Sequence, residues 1–146
     1  MKTKSIIFLV ALALVVFLQA CSVSPQPIEY GKDVCEFCKM TIMDKKFGAE
    51  MLNQNGKAVK FDSGECMVNY MNTNTNFKAV QYLVVSYNNP GQLIDAEKSC
   101  YIHGGNVNSP MGGNLASFSD KSTAEQFQSQ LQGELIHWNE VVKISF

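Results

Sequence analysis

An α+β fold built from two consecutive β-β-α-β units is what this chain predicts, and three observations predict it. Short β-rich runs alternate with turn residues along most of its length. Two helical segments each follow a phenylalanine and a capping residue, Phe61-Asp62-Ser63 before the first and Phe118-Ser119-Asp120 before the second. An aromatic residue stands nine positions after each phenylalanine, Tyr70 and Phe127. A repeated element order with matching aromatic offsets reads as an internal duplication, with units of about 29–90 and 91–146.

The elements follow in order. Phe47 to Leu52 and Lys57 to Phe61 are short strands, and Asn53-Gln54-Asn55-Gly56 between them carries the Asn-Gly signal of a tight hairpin. Gly64 to Met71 has helical composition behind the Asp62-Ser63 cap. Val80 to Tyr87 is β-rich and ends at Asn88-Asn89-Pro90-Gly91, a cluster of turn residues. In the second unit, Gln92 to Ala96 forms a short lead-in and Ser99 to Ile102 a strand. The Gly- and Asn-rich loop His103 to Gly113 follows, and then a strand from Asn114 to Phe118. A helix is expected from Lys121 to about Gln132 with Gly133 as its stop, and a closing strand from Trp138 to Phe146.

The N-terminal segment speaks to compartment. Lys2 and Lys4 precede an uncharged apolar run from Ile6 to Leu18, which is short for a spanning helix and suits the core of a signal peptide over 1–20. Leu18-Gln19-Ala20-Cys21 reads as a lipobox. Cys21 would become a lipidated mature N-terminus, anchored to a membrane by acyl chains and facing the periplasm or outer surface. An ordinary secretory cleavage after Ala20 is the alternative, and it leaves export unchanged. Residues 21–28 are the lipidated cysteine and a polar tether, and 29–146 one modest folded domain. All basic residues are lysine, and without Lys2 and Lys4 the chain is mildly acidic. It has no cluster of Lys and Arg to read phosphates, which sets nucleic-acid binding aside. Nor is there a nucleophile elbow, phosphate-binding glycine loop or histidine-rich hydrolase motif, so no enzyme is expected.

The chemistry lies in sulfur. Cys35-Glu36-Phe37-Cys38-Lys39-Met40 places two thiols and a thioether within six residues, with Met43 beyond. These soft donors suit Cu(I). Two other readings stay open for the residues alone. One is a Cys35–Cys38 disulfide, structural or acting in thiol–disulfide exchange, and the other is a four-cysteine zinc site. Cys66 and Cys100 fall on a helix and beside a strand and read as small buried thiols, with Met67 and Met71 as gap fillers and a Cys66–Cys100 disulfide as an alternative. Met111 sits in Ser109-Pro110-Met111-Gly112-Gly113, a loop too rich in glycine to pack as core, so its thioether reads as a ligand or contact. His103 opens the same loop; imidazole also binds copper, though a lone histidine is more often structural. His137 beside Trp138 reads as a surface or strand-edge residue.

The Cys35-x-x-Cys38-x-Met40-Thr41-Ile42 segment, the Phe61-Asp62-Ser63 step and the Ser109-Pro110-Met111-Gly112 loop followed by Phe118 together resemble the NosL family of copper-binding lipoproteins. The resemblance implies delivery of Cu(I) to the copper–sulfide centre of nitrous oxide reductase, in concert with that enzyme's accessory maturation proteins. It implies separate small sheets for the two units, akin to the non-catalytic part of organomercurial lyase. It also implies Cys38 and Met40 as the core of the metal site, Met111 as a converging thioether and Cys35 as a further thiol; His103 and Met43 stand as secondary candidates on their own donor atoms. Lys39 stands where glycine is common in the family, and its side chain is expected to point to solvent.

Overall fold

The computed structural model describes residues 23–146, so the predicted signal peptide and Cys21 lie outside the described residues. Two antiparallel sheets carry the fold. The first contains β1 (Ala49–Asn53), β2 (Ala58–Phe61), β3 (Ala79–Val85) and β4 (Leu93–Asp95), in the order β2-β1-β3-β4. The second contains β5 (Cys100–His103), β6 (Leu115–Phe118) and β7 (Glu134–His137), in the order β6-β5-β7. In both, the leading strand is central, the next lies on one side, and the strand after the helix returns on the other. The helices are α1 (Gly64–Thr73) and α2 (Lys121–Leu131).

The duplication extends to side-chain detail. Ser63 Oγ accepts the Cys66 N–H at 3.3 Å, and Asp120 Oδ1 accepts the Thr123 N–H at 2.8 Å, so each helix is capped from two residues beyond its phenylalanine. Phe61 packs on Tyr70 with ring centroids 5.2 Å apart, and Phe118 on Phe127 at 5.3 Å. Cys66 and Thr123 thereby occupy equivalent positions in the first helical turn.

Two expectations change. The lead-in near residues 92–96 is β4, which pairs with β3 and so belongs to the first sheet. The closing strand expected over Trp138–Phe146 is not formed. The strand is Glu134–His137, and a short helix, α3 (Trp138–Val141), follows it. The physical reason lies in Glu140, whose carboxylate accepts the His137 N–H at 2.8 Å and starts a helical turn, closed by Val142 N–H to Trp138 O at 3.1 Å. The apolar alternation in Val142, Ile144 and Phe146 imitates a strand without entering a ladder. The second helix ends at Leu131, and Gln132 takes the left-handed cap at φ +53°. Gly133 is needed for close packing instead, since a Cβ there would meet Ile102 Cγ2 at 2.5 Å.

The sheets meet where Ser86 and Ser117 form a parallel bridge and Tyr87 N–H bonds Ser117 O at 2.8 Å. Tyr82, Trp138 and Tyr101 form an aromatic chain between them, with centroids 5.9 and 6.2 Å apart. No helix among the described residues is long and apolar enough to cross a membrane.

Candidate metal centre

The segment ahead of β1 folds back on itself. Gly31 N–H bonds Ile42 O, Ile42 N–H bonds Asp33 O, and Cys35 N–H bonds Met40 O at 2.8 Å. Burial of Ile42 and Cys35, both fully enclosed, draws this loop onto the first core. Lys39 closes the inner turn with its N–H on Cys35 O at 3.0 Å and adopts φ +62°. That left-handed backbone explains why glycine suits this position. Lysine adopts it at a strain of about 1–2 kcal/mol. Its ammonium, on an exposed side chain, pairs with Glu36 at 3.2 Å.

Lys60 on β2 fastens the loop. Its ammonium reaches Pro27 O at 2.8 Å and Asp33 Oδ2 at 2.7 Å, while its carbonyl takes the Glu36 N–H at 2.9 Å. Burial pushes the Asp33 carboxyl up, but its contacts with Lys60 and the Glu29 N–H outweigh this and hold it below its ordinary value. The folded pKa being lower, this pair stabilises fully above the usual aspartate range near pH 4 and is lost as pH falls through the folded value. Lys60→Met is accordingly expected to lower stability by about 1 kcal/mol at neutral pH. The deficit should shrink in acid, as measured by urea unfolding against pH.

The fold brings together three thiols. The sulfurs of Cys35, Cys38 and Cys66 all lie within 4.8 Å of one another. Cys35 and Cys66 are buried and Cys38 is partly open. Metal–sulfur bonds of about 2.3 Å place the sulfurs of a trigonal site roughly 4 Å apart, a spacing compatible with one ion among these three. The Cys66 S–H beside Cys35, together with the backbone N–H groups of Asp62, Cys38 and Phe37, lowers the Cys35 thiol to about 5 against the opposing effect of burial. Cys66 moves the opposite way, held protonated by its contact with Cys35 and by burial. Burial also raises Cys38, against a hydrogen bond from the Met40 N–H.

The other expected ligands are placed differently. Met111 lines a cavity of about 390 Å³ whose wall includes Cys66, Phe37, Glu65, Asn69 and Phe146, so its side chain and the Cys66 member of the cluster border one space. His103, at the end of β5, shares an adjoining cavity with Met111, its ring edge-on to Phe146 at 5.8 Å. Met40 and Met43 turn outward, with 56% and 67% of their surface exposed, and neither lines the Cys66 cavity. Cys66 is buried, as expected from the helix pattern, and its thiol also completes the cluster. The signal available in the sequence was its place in the first turn of α1, where side chains lean back toward the helix start and hence toward the preceding loop. Cys100 belongs to a separate core around the second sheet, and all four described cysteines are free thiols.

Fold and site together define a class: a duplicated two-sheet α+β protein whose first helix and preceding loop enclose three convergent thiols. A family model described as NosL matches residues 27–145, and the chain belongs to the NosL family. The crystal structure of the copper chaperone NosL from Shewanella denitrificans is similar in fold, with a TM-score of 0.68 at 22% identity. The match covers 82% of this chain and 96% of that one. No curated protein matches the sequence.

Proposed function

We propose that this protein is an exported, membrane-tethered carrier of Cu(I) that hands copper to a partner and is not an enzyme. The observation that carries the reading is the convergence of the Cys35, Cys38 and Cys66 sulfurs within 4.8 Å beside a cavity bordered by Met111. Thiolate and thioether donors select Cu(I), and ions that want oxygen are poorly served by them. Three thiols fall one ligand short of a closed structural zinc site. A disulfide exchanger needs an exposed nucleophile, whereas the thiol with the lowered pKa, Cys35, is fully buried.

Copper is cargo here. Cys38, on the open side, is the thiol best placed to be exchanged for an acceptor's donor, with Met111 offering a neutral sulfur across the cavity. The client we propose is nitrous oxide reductase with its maturation proteins, as the resemblance of the Cys35–Ile42 and Ser109–Gly112 motifs implies. Lipid on Cys21 would hold the carrier at the membrane surface.

Reduced protein titrated with Cu(I) against a chromogenic chelator is expected to bind one equivalent tightly at these thiols. X-ray absorption should report sulfur as the dominant neighbour. Retention of that equivalent after Cys35→Ser with Cys38→Ser would overturn the assignment.

A further inference from the structure

A second pair of soft donors lies on the other sheet, apart from the thiol cluster. Cys100 on β5 and His137 on β7 are directly paired across the ladder, and Cys100 Sγ lies 3.7 Å from His137 Nδ1. We propose that Cys100 and His137 form a second Cu(I) site, weaker and more exposed than the thiol cluster. Several features make the pair more than a chance contact. Cys100 is held in the central strand of its sheet and almost enclosed, so its sulfur is fixed. The His137 backbone is pinned by its N–H to Glu140, while the side chain stands at the surface, where an ion can arrive.

The charges around the pair favour a cation. Asp120 and Glu125 place negative charge near Cys100, with Lys121 opposing them. Lys121 itself pairs with Glu125 at 3.4 Å, leaving a negative surplus from Asp120. A bound Cu(I) neutralises the thiolate it creates. In the binding step the Cys100 S–H proton leaves to solvent, the sulfur takes the metal in its place, and the lone pair on Nδ1 completes the pair of bonds. No oxidant or reductant takes part. Metal–sulfur and metal–nitrogen bonds of about 2.3 and 2.0 Å give a separation of roughly 4.3 Å when linear. That separation is reached from the present 3.7 Å by a modest swing of the exposed ring. Two donors leave zinc short of its usual four ligands, so the softer monovalent ion is the better match.

This site does not depend on the thiol cluster, and the experiment separates the two. Reduced protein titrated with Cu(I) in competition with a chromogenic chelator is expected to take up a second, weaker equivalent. That equivalent should disappear in Cys100→Ser and weaken about tenfold or more in His137→Ala, with the tight equivalent unchanged in both. His137→Ala alters an exposed side chain and keeps the test valid if Cys100→Ser folds poorly. Nitrogen NMR of the imidazole should show Nδ1 of His137 shifting as the second equivalent binds, a response that a purely structural thiol–imidazole hydrogen bond would not give. Uptake of one equivalent only, or a second equivalent indifferent to both substitutions, would overturn the proposal.

Discussion

Replacing Cys66 by serine is expected to weaken tight Cu(I) binding by about a hundredfold or more while leaving the protein folded. The exchange keeps the size of the side chain and leaves the backbone bond from Cys66 N–H to Ser63 Oγ in place, so the helix still starts where it does. What it removes is a soft donor. A hydroxyl oxygen is a poor ligand for Cu(I), and two thiols would remain where three converge. Met43→Leu provides the contrast: that side chain is mostly exposed, and its loss should leave affinity unchanged. Chelator competition for affinity and circular dichroism for folding make the measurement. An unaltered Cys66→Ser titration would return Cys66 to a packing role.

Truncating either duplicated phenylalanine to alanine is expected to destabilise the protein by about 3–5 kcal/mol, the range for emptying a large aromatic site in a packed core. Phe61 and Phe118 are both fully buried, each stacked on the aromatic of its own helix. Their effects on copper should diverge. Phe61 ends the strand that leads into Asp62, whose N–H serves the Cys35 sulfur, and Ser63, which caps the helix bearing Cys66. Phe61→Ala should therefore loosen metal binding as well as the fold. Phe118→Ala, in the second unit's core, should reduce stability with little change in tight affinity. Urea unfolding and Cu(I) competition on both variants test this, and equal losses of affinity would contradict it.

The fold was readable because its signals are local. The Asn55-Gly56 hairpin, the two caps and the pairing of Phe61 with Tyr70 and Phe118 with Phe127 depend on residues close in sequence. Residues 138–146 were misread because apolar alternation alone does not distinguish a strand from a helical turn followed by an irregular segment. Glu140, three residues after His137, was the overlooked cue. The metal site was half legible. Cys35 and Cys38 announce themselves by spacing, but Cys66 reaches them only because Lys60 and the buried Ile42 dock the loop on the first sheet, and no local pattern encodes that docking. The outward placement of Met40 and Met43 has the same origin. With Cys35, Cys38 and Ile42 turned inward, Met40 and Met43 are left facing solvent.

The serine cap of the first helix has a consequence for how such a protein can change over time. The residue whose N–H donates to the Ser63 cap is the one that supplies the third thiol, and its counterpart in the second unit is Thr123. In the first unit a folding signal and a convergent thiol therefore share a single turn of helix, while the equivalent turn of the second unit carries no thiol. Substitutions between Phe61 and Cys66 are judged twice, once for the helix and once for the cargo. Those between Phe118 and Thr123 bear on the helix cap without touching the thiol cluster, which leaves that turn the freer of the two to lose or change its side chains.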